Sequence, residues 1–147
     1  MYNIDDDAVR GGTVCLAKAG IAIGSGDTKD IDIAAPNGAG VDFAIDGILY
    51  HKADAADQPF TAGHTIPDGY VAIILLLLST AGALTSVLGP LSKNADITAG
   101  VDVIKWPIPT ENTCPIGYIK VSADGADYVS GTTALNAGTV TDTYVDL

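Results

Sequence analysis

Cys114-Pro115-Ile116-Gly117-Tyr118-Ile119-Lys120-Val121, then Asp127-Tyr128-Val129-Ser130-Gly131-Thr132-Thr133, then Thr143-Tyr144-Val145-Asp146-Leu147 form the last quarter of this chain. Short runs of apolar, β-branched and aromatic residues are parted by Ala123-Asp124-Gly125-Ala126 and by a Gly/Thr stretch. That order reads as strand, turn, strand, loop and closing strand. The closing strand is expected to pair within its own domain rather than with a neighbour, because local pairing avoids an ordering cost on assembly.

Working towards the N-terminus, the same grammar repeats. Val41-Asp42-Phe43-Ala44-Ile45 runs into Asp46-Gly47 and then Ile48-Leu49-Tyr50-His51-Lys52. Asp-Gly between two apolar-rich runs is a type I′ hairpin turn, since both central residues need positive φ. One face of the hairpin is expected to carry Val41, Phe43 and Ile45, with Ile48 and either Tyr50 or Leu49 across the turn. Tyr70 to Leu78 is a nearly continuous apolar run flanked by Asp68-Gly69 and Ala81-Gly82, which favours a central strand with Ala83–Leu88 as its hairpin partner. Val101 to Trp106 reads as a further strand ended by Pro107 and Pro109. Leu91–Gly100 is the one place for a short helix or turn. Ala53–Gly69 reads as a long loop made for contacts rather than core. Residues 1–12, with Asp5-Asp6-Asp7 before Gly11-Gly12, read as an N-terminal arm ahead of a domain at 13–147. Short strands at this spacing predict an all-β, single-domain antiparallel sandwich or barrel.

Composition agrees. The 147 residues suffice for one core, 48% are hydrophobic, and there are 17 Gly and 7 Pro. Asp occurs 17 times and Glu once. Asp serves turns and caps where Glu would support helices. Seven Lys plus Arg leave a net charge of −11, which opposes binding to nucleic acid or to an anionic membrane. The eight-residue run Val71–Leu78 is too short to span a bilayer as a helix. The acidic start, Met1-Tyr2-Asn3-Ile4-Asp5-Asp6-Asp7, has no secretory pattern.

Chemistry-bearing residues are few. Cys15 and Cys114 have no metal spacing and read as buried thiols, with a disulfide between them left open. His51 and His64 are the candidate bases, with Ser79, Ser86 or Ser92 as nucleophiles and Asp46 or Asp68 as orienting groups. No nucleophile-elbow or comparable motif supports a triad. Asp5-Asp6-Asp7, Asp27 with Asp30 and Asp32, and Asp124 with Asp127 offer calcium-type oxygens, but none fits an EF-hand loop and they read as turn chemistry and solvated strand faces. Gly24-Ser25-Gly26 and Gly38-Ala39-Gly40 lack the Lys-Ser/Thr of a phosphate loop. Trp106, Tyr118 and Tyr128 could stack a sugar, but aromatics in strands more often serve a core or an interface. The reading assigns no catalytic residue, cofactor or metal.

The hairpin Phe43–Ala53, the mid-chain apolar strand, Cys114–Val121 and Gly131-Thr132-Thr133 together resemble small head proteins of tailed bacteriophages, over about residues 41–147. The resemblance implies a capsid decoration, or cement, protein with a β-sandwich or jelly-roll-like domain and no enzymatic activity. It implies the major capsid protein as partner, a homo-oligomer with a trimer favoured, and a place on the virion surface after synthesis in the host cytoplasm. Residues 1–12 and the Ala53–Gly69 loop are the expected contact segments. The alternative is a tail- or fibre-associated adhesion module that binds a host surface glycan.

Overall fold

The computed structural model describes residues 12–147. The arm expected at residues 1–12 therefore lies outside the described residues, except for Gly12. The fold is all-β, with a single short helix among the described residues.

Its spine is β8 (Tyr70–Ser79) beside β11 (Thr113–Ala123). These pair antiparallel from Thr113↔Ser79 to Ser122↔Val71. β13 (Val140–Asp146) pairs with the other side of β11. β9 (Leu84–Leu88) and β10 (Ser92–Lys93) share the far side of β8. Three small sheets face this large one. The first orders β1 (Val14–Cys15), β4 (Val41–Ile45) and β5 (Ile48–Lys52). The second orders β2 (Ile21–Ile23), β3 (Ile31–Ile33) and β6 (Ala55–Gln58), and the third pairs β7 (Thr65–Ile66) with β12 (Tyr128–Val129). The result is an open sandwich and not a closed barrel.

Alternation along β8 explains both layers. Ala72, Ile74, Leu76 and Leu78 enter the core with Ile116, Ile119 and Val121 of β11. Phe43, Val41 and Ile45 of β4, Ile31 and Ile33 of β3, and Ile66 of β7 meet them from the small sheets. Each such Val, Ile, Leu or Phe side chain, fully buried, contributes about 2 kcal/mol. The alternate residues Val71, Ile73, Leu75 and Leu77 are buried as well, on the outer face. Residues 101–110 lie against that face. The Ser92 hydroxyl donates to the Val103 carbonyl at 3.3 Å, and the Trp106 ring stands edge-on to Tyr118 with centroids 4.9 Å apart.

The Asp-Gly hairpin forms with the expected two-residue turn. Ile45 pairs with Ile48, and Asp46 and Gly47 take φ of 51° and 76°. Phe43 lies opposite Tyr50, with the two rings stacked at 5.6 Å. The helix falls inside the predicted window, as α1 (Asn94–Thr98).

Three expectations are corrected. Val101–Trp106 is not a strand: it pairs with no neighbour, because β9 and β10 already occupy that side of β8. Ala53–Gly69 is not a free loop. It contributes β6 and β7 and buries Phe60 and Ile66 in the core. The strands flanking Ala123–Ala126 form, but not as a hairpin: Tyr128–Val129 pairs with β7, and the free side of β11 is taken by β13.

β11 carries a bulge between Pro115 and Gly117. Pro115 lies opposite Leu77 of β8 at the edge of this bulge and ahead of the β13 pairing, a position where a strand tolerates a residue without an N–H. At Gly117 the small-sheet strand β2 comes close. A Cβ there would sit 2.1 Å from the Ile21 Cδ1 and 2.6 Å from the Val145 carbonyl oxygen. The backbone contact cannot rotate away, so Gly117→Ala is expected to cost about 2–3 kcal/mol as an overpacking change, read as a lower midpoint in urea unfolding. An unchanged midpoint would contradict this packing.

Candidate functional site

The aspartates are spent on backbone. Asp57 Oδ1 accepts from the Gly26 and Asp27 N–H groups, both at 2.8 Å. Asp32 accepts from Asp57 N–H through one oxygen and from Ser25 N–H through the other. Bonding from Asp57 N–H holds the Asp32 carboxyl below its usual range, whereas burial, then Asp27 and Asp57, raise Asp30. At the opposite end, Asp127 accepts from Asp68 N–H and Asp68 from Gly125 N–H. Among the described residues no group of three or more His, Cys, Asp or Glu could hold a metal ion. Asp5, Asp6 and Asp7 lie outside them.

His64 and Ser86 do meet. His64 Nε2 lies 2.9 Å from the Ser86 hydroxyl, and Ser86 is buried in mid-strand on β9. The Ser86 N–H donates to Thr61 Oγ1, and the Ser130 hydroxyl accepts from the His64 N–H while donating to the Thr61 carbonyl. These bonds tie β7 and its flanking turn to β9. No carboxylate bonds the other His64 ring nitrogen among the described residues. The serine sits on a flat strand rather than a sharp strand-to-helix turn, so the pair lacks what would aim a nucleophile at substrate. Ser79 instead accepts from Ala83 N–H in the β8–β9 turn, and Ser92 holds Val103. His51 pairs with Asp42 at 2.8 Å on an exposed sheet face. Neither Asp46 nor Asp68 reaches a histidine.

The thiols are both free. Burial, with the neighbouring Cys15 thiol adding to it, pushes Cys114 up to about 11. Cys15, half-buried, is raised by burial and donates to the Ala17 carbonyl. A thiol so disfavoured as thiolate is a poor nucleophile.

Of the aromatic trio, Tyr128 is wholly buried in the core, away from the Trp106–Tyr118 pair on the outer face. No three-ring platform exists. The Tyr128 hydroxyl is buried with no hydrogen-bond partner among the described residues, and burial raises its pKa; burial and then the neighbouring Asp142 carboxylate raise that of Tyr144.

Two surface depressions are open to solvent. One of about 470 Å3 is lined by Thr13, Asp46, Glu111 and Thr113, among others. One of about 340 Å3 lies between α1, Ile104 and the outer face of β11 and β13, with Lys120 and Asp124 in it. No His or Cys lines either of them.

What stands out is exposed apolar surface, in two places that sequence reading missed. The first is the strap, residues 101–108, where Val101 is 78% exposed, Ile108 85%, and Val103 and Trp106 are also open. The second is the outer face of the β1-β4-β5 sheet. Val14 and Leu49 stand exposed in one row across it, either side of the buried Ala44, and exposed Leu16 lies beside Asp42. Leu49 is 70% exposed. The sequence left Tyr50 and Leu49 both open as the core-facing residue, and the Phe43↔Tyr50 register turns Leu49 outward with His51. Nothing in the strap's apolar composition distinguished outward from inward. Because the core lies between the small and large sheets, these two surfaces sit on opposite outer sides. Exposed apolar groups gathered in this way mark interaction sites more often than chance surface.

Compared with protein-family models, with curated proteins and with solved structures, the chain matches none. No helix among the described residues is long and apolar enough to cross a membrane.

Two outcomes follow from these side chains. Burial lowers the His64 pKa from its ordinary 6.5, so the unfolded chain takes the proton first and stability rises with pH across that window. Stability is expected to be full above pH 6.5 and to fall as pH drops below it, with His64→Gln flattening this limb of a melting-temperature profile. Tyr128→Phe removes a buried hydroxyl that has no partner, so its stability should be unchanged or up to about 1 kcal/mol higher. A loss of 2 kcal/mol or more, by the same principle, would show that the hydroxyl is bonded.

Proposed function

We propose that this chain is a decoration protein of a tailed-phage head, binding the outer surface of the assembled shell and stabilising it, with no catalytic role. The observation that carries the reading is the pair of exposed apolar surfaces on opposite outer sides of the sandwich. A cement protein has to touch more than one neighbour, and a β scaffold with two such faces is suited to that. The likeness of Phe43–Ala53, Cys114–Val121 and Gly131–Thr133 to small phage head proteins supports the same role.

The sheet face of Val14, Leu16 and Leu49 is the docking surface for the shell in this reading. Its apolar row is bordered by the carboxylates of Asp42 and Asp46. A complementary partner presents an apolar patch bordered by Lys or Arg. Preference for the assembled shell over free subunits stabilises the shell by linkage, and repetition on a lattice adds avidity.

The copy number of the chain relative to the major capsid protein in gradient-purified virions tests the role. Many copies in a simple lattice ratio are expected. A handful would move the chain to the tail or a fibre, as an adhesion module, and absence would remove the virion role. Leu49→Asp, which alters an exposed side chain and so spares the fold, is expected to cut occupancy on the head about tenfold, equivalent to about 1.4 kcal/mol of docking energy. Undiminished occupancy would exclude this face as the contact.

A further inference from the structure

The strap has a different character from the acidic sheet face. Outward-facing Val101, Val103, Trp106 and Ile108 lie along eight residues, while Pro107 is buried and Asp102 and Ile104 are turned partly inward. The pattern is nearly symmetric about the Ile104–Lys105 bond. Laid antiparallel on a second copy with the two-fold axis there, Val103 falls opposite Trp106 and Val101 opposite Ile108. Every exposed large apolar group then meets another, as a self-complementary two-fold contact requires.

Charge favours the same choice. Lys105 and its image flank the axis, and each is offset within its own copy by Asp102 at 3.5 Å. With Asp96 on α1 and with Lys120 and Asp124 in the adjoining groove, the region carries one net negative charge. The whole chain carries −11. Contact between copies through the β1-β4-β5 face would bring Asp42 and Asp46 against their own images, which like-charge repulsion opposes. The strap is where a second copy can approach. Its backbone is also open: among the described residues the N–H groups of Ile104, Lys105, Trp106 and Ile108 have no backbone partner. Trp is moreover the residue type most enriched at interface hot spots.

We infer that residues 101–108 form a two-fold interface with a second copy of this chain, with Trp106 at its centre packed on Val103 of the partner. The dimer would present two acidic, leucine-bearing sheet faces outward. This inference concerns the isolated protein and stands apart from the decoration role.

Sedimentation of the full chain at about 100 µM, a concentration that reports even a modest interface, tests it. The expected result is twice the chain mass, converting to monomer on dilution with a red shift of fluorescence from Trp106, the single tryptophan. Val103→Asp and Ile108→Asp each change an exposed side chain. Both are expected to give folded monomers with unchanged circular dichroism, at least tenfold weaker in association, whereas Leu49→Asp remains dimeric. A monomer at every concentration would overturn the inference, and so would a dimer or trimer that survives both strap variants. A strap-mediated dimer absent from virions would leave this inference standing and remove the decoration role.

Discussion

Burial of Tyr70–Ser79 on both faces is the constraint around which the domain is arranged. A strand whose consecutive side chains are all apolar cannot lie on the surface of a two-layer sandwich without a second cover. The small sheets provide the inner cover. On the outer side there is no further sheet, and the chain uses α1 and the extended segment after it. The strap is tethered there by Ser92 and by the Trp106–Tyr118 contact. Its own outward side chains are consequently left exposed. The same feature that completes the fold thus creates the apolar surface on which the proposed self-association rests.

Aspartate is the second organising element. Short, weakly paired strands leave many turns, and many turns leave backbone N–H groups without ladder partners. Asp32, Asp54, Asp57, Asp68 and Asp127 each accept one or more of these. The negative charge of the chain is in large part the by-product of this bonding. It need not be a docking device, and the carboxylates that remain at a surface with apolar groups, Asp42 and Asp46, are the ones relevant to a partner.

Elements with strong local signals were legible from the residues. Asp46-Gly47 specifies its turn through backbone sterics alone, and the length and flanks of Val71–Leu78 specify a buried strand. What was not legible depended on distant pairing. Ala55–Gln58 and Thr65–Ile66 have no marked alternation, and become strands because β3 and β12 present edges to them. Val101–Trp106 has good strand composition but finds the neighbouring edge occupied, so propensity yields to topology. At the level of sites, the His64–Ser86 contact was among several pairings the residues allowed. Choosing it required the β8–β9 hairpin register, and dismissing it as chemistry required seeing Ser86 buried in mid-strand. The exposed row on the strap was hidden for a related reason: apolar residues in a strand pattern read as core until the covering layer is known.

The order in which the spine is synthesised has a consequence for how this protein is made. β8 leaves the ribosome with β9 close behind, so one of its edges closes almost at once. Its other edge waits for β11, whose last residue lies 44 positions after Ser79. At ribosomal rates of about 5–20 residues per second, that interval is roughly two to nine seconds. Throughout it, a ten-residue strand with eight consecutive Val, Ala, Ile and Leu residues has an unpaired edge, the kind of segment that seeds cross-β aggregation. That interval is when the chain is most open to mispairing, and it ends when β11 closes this one edge.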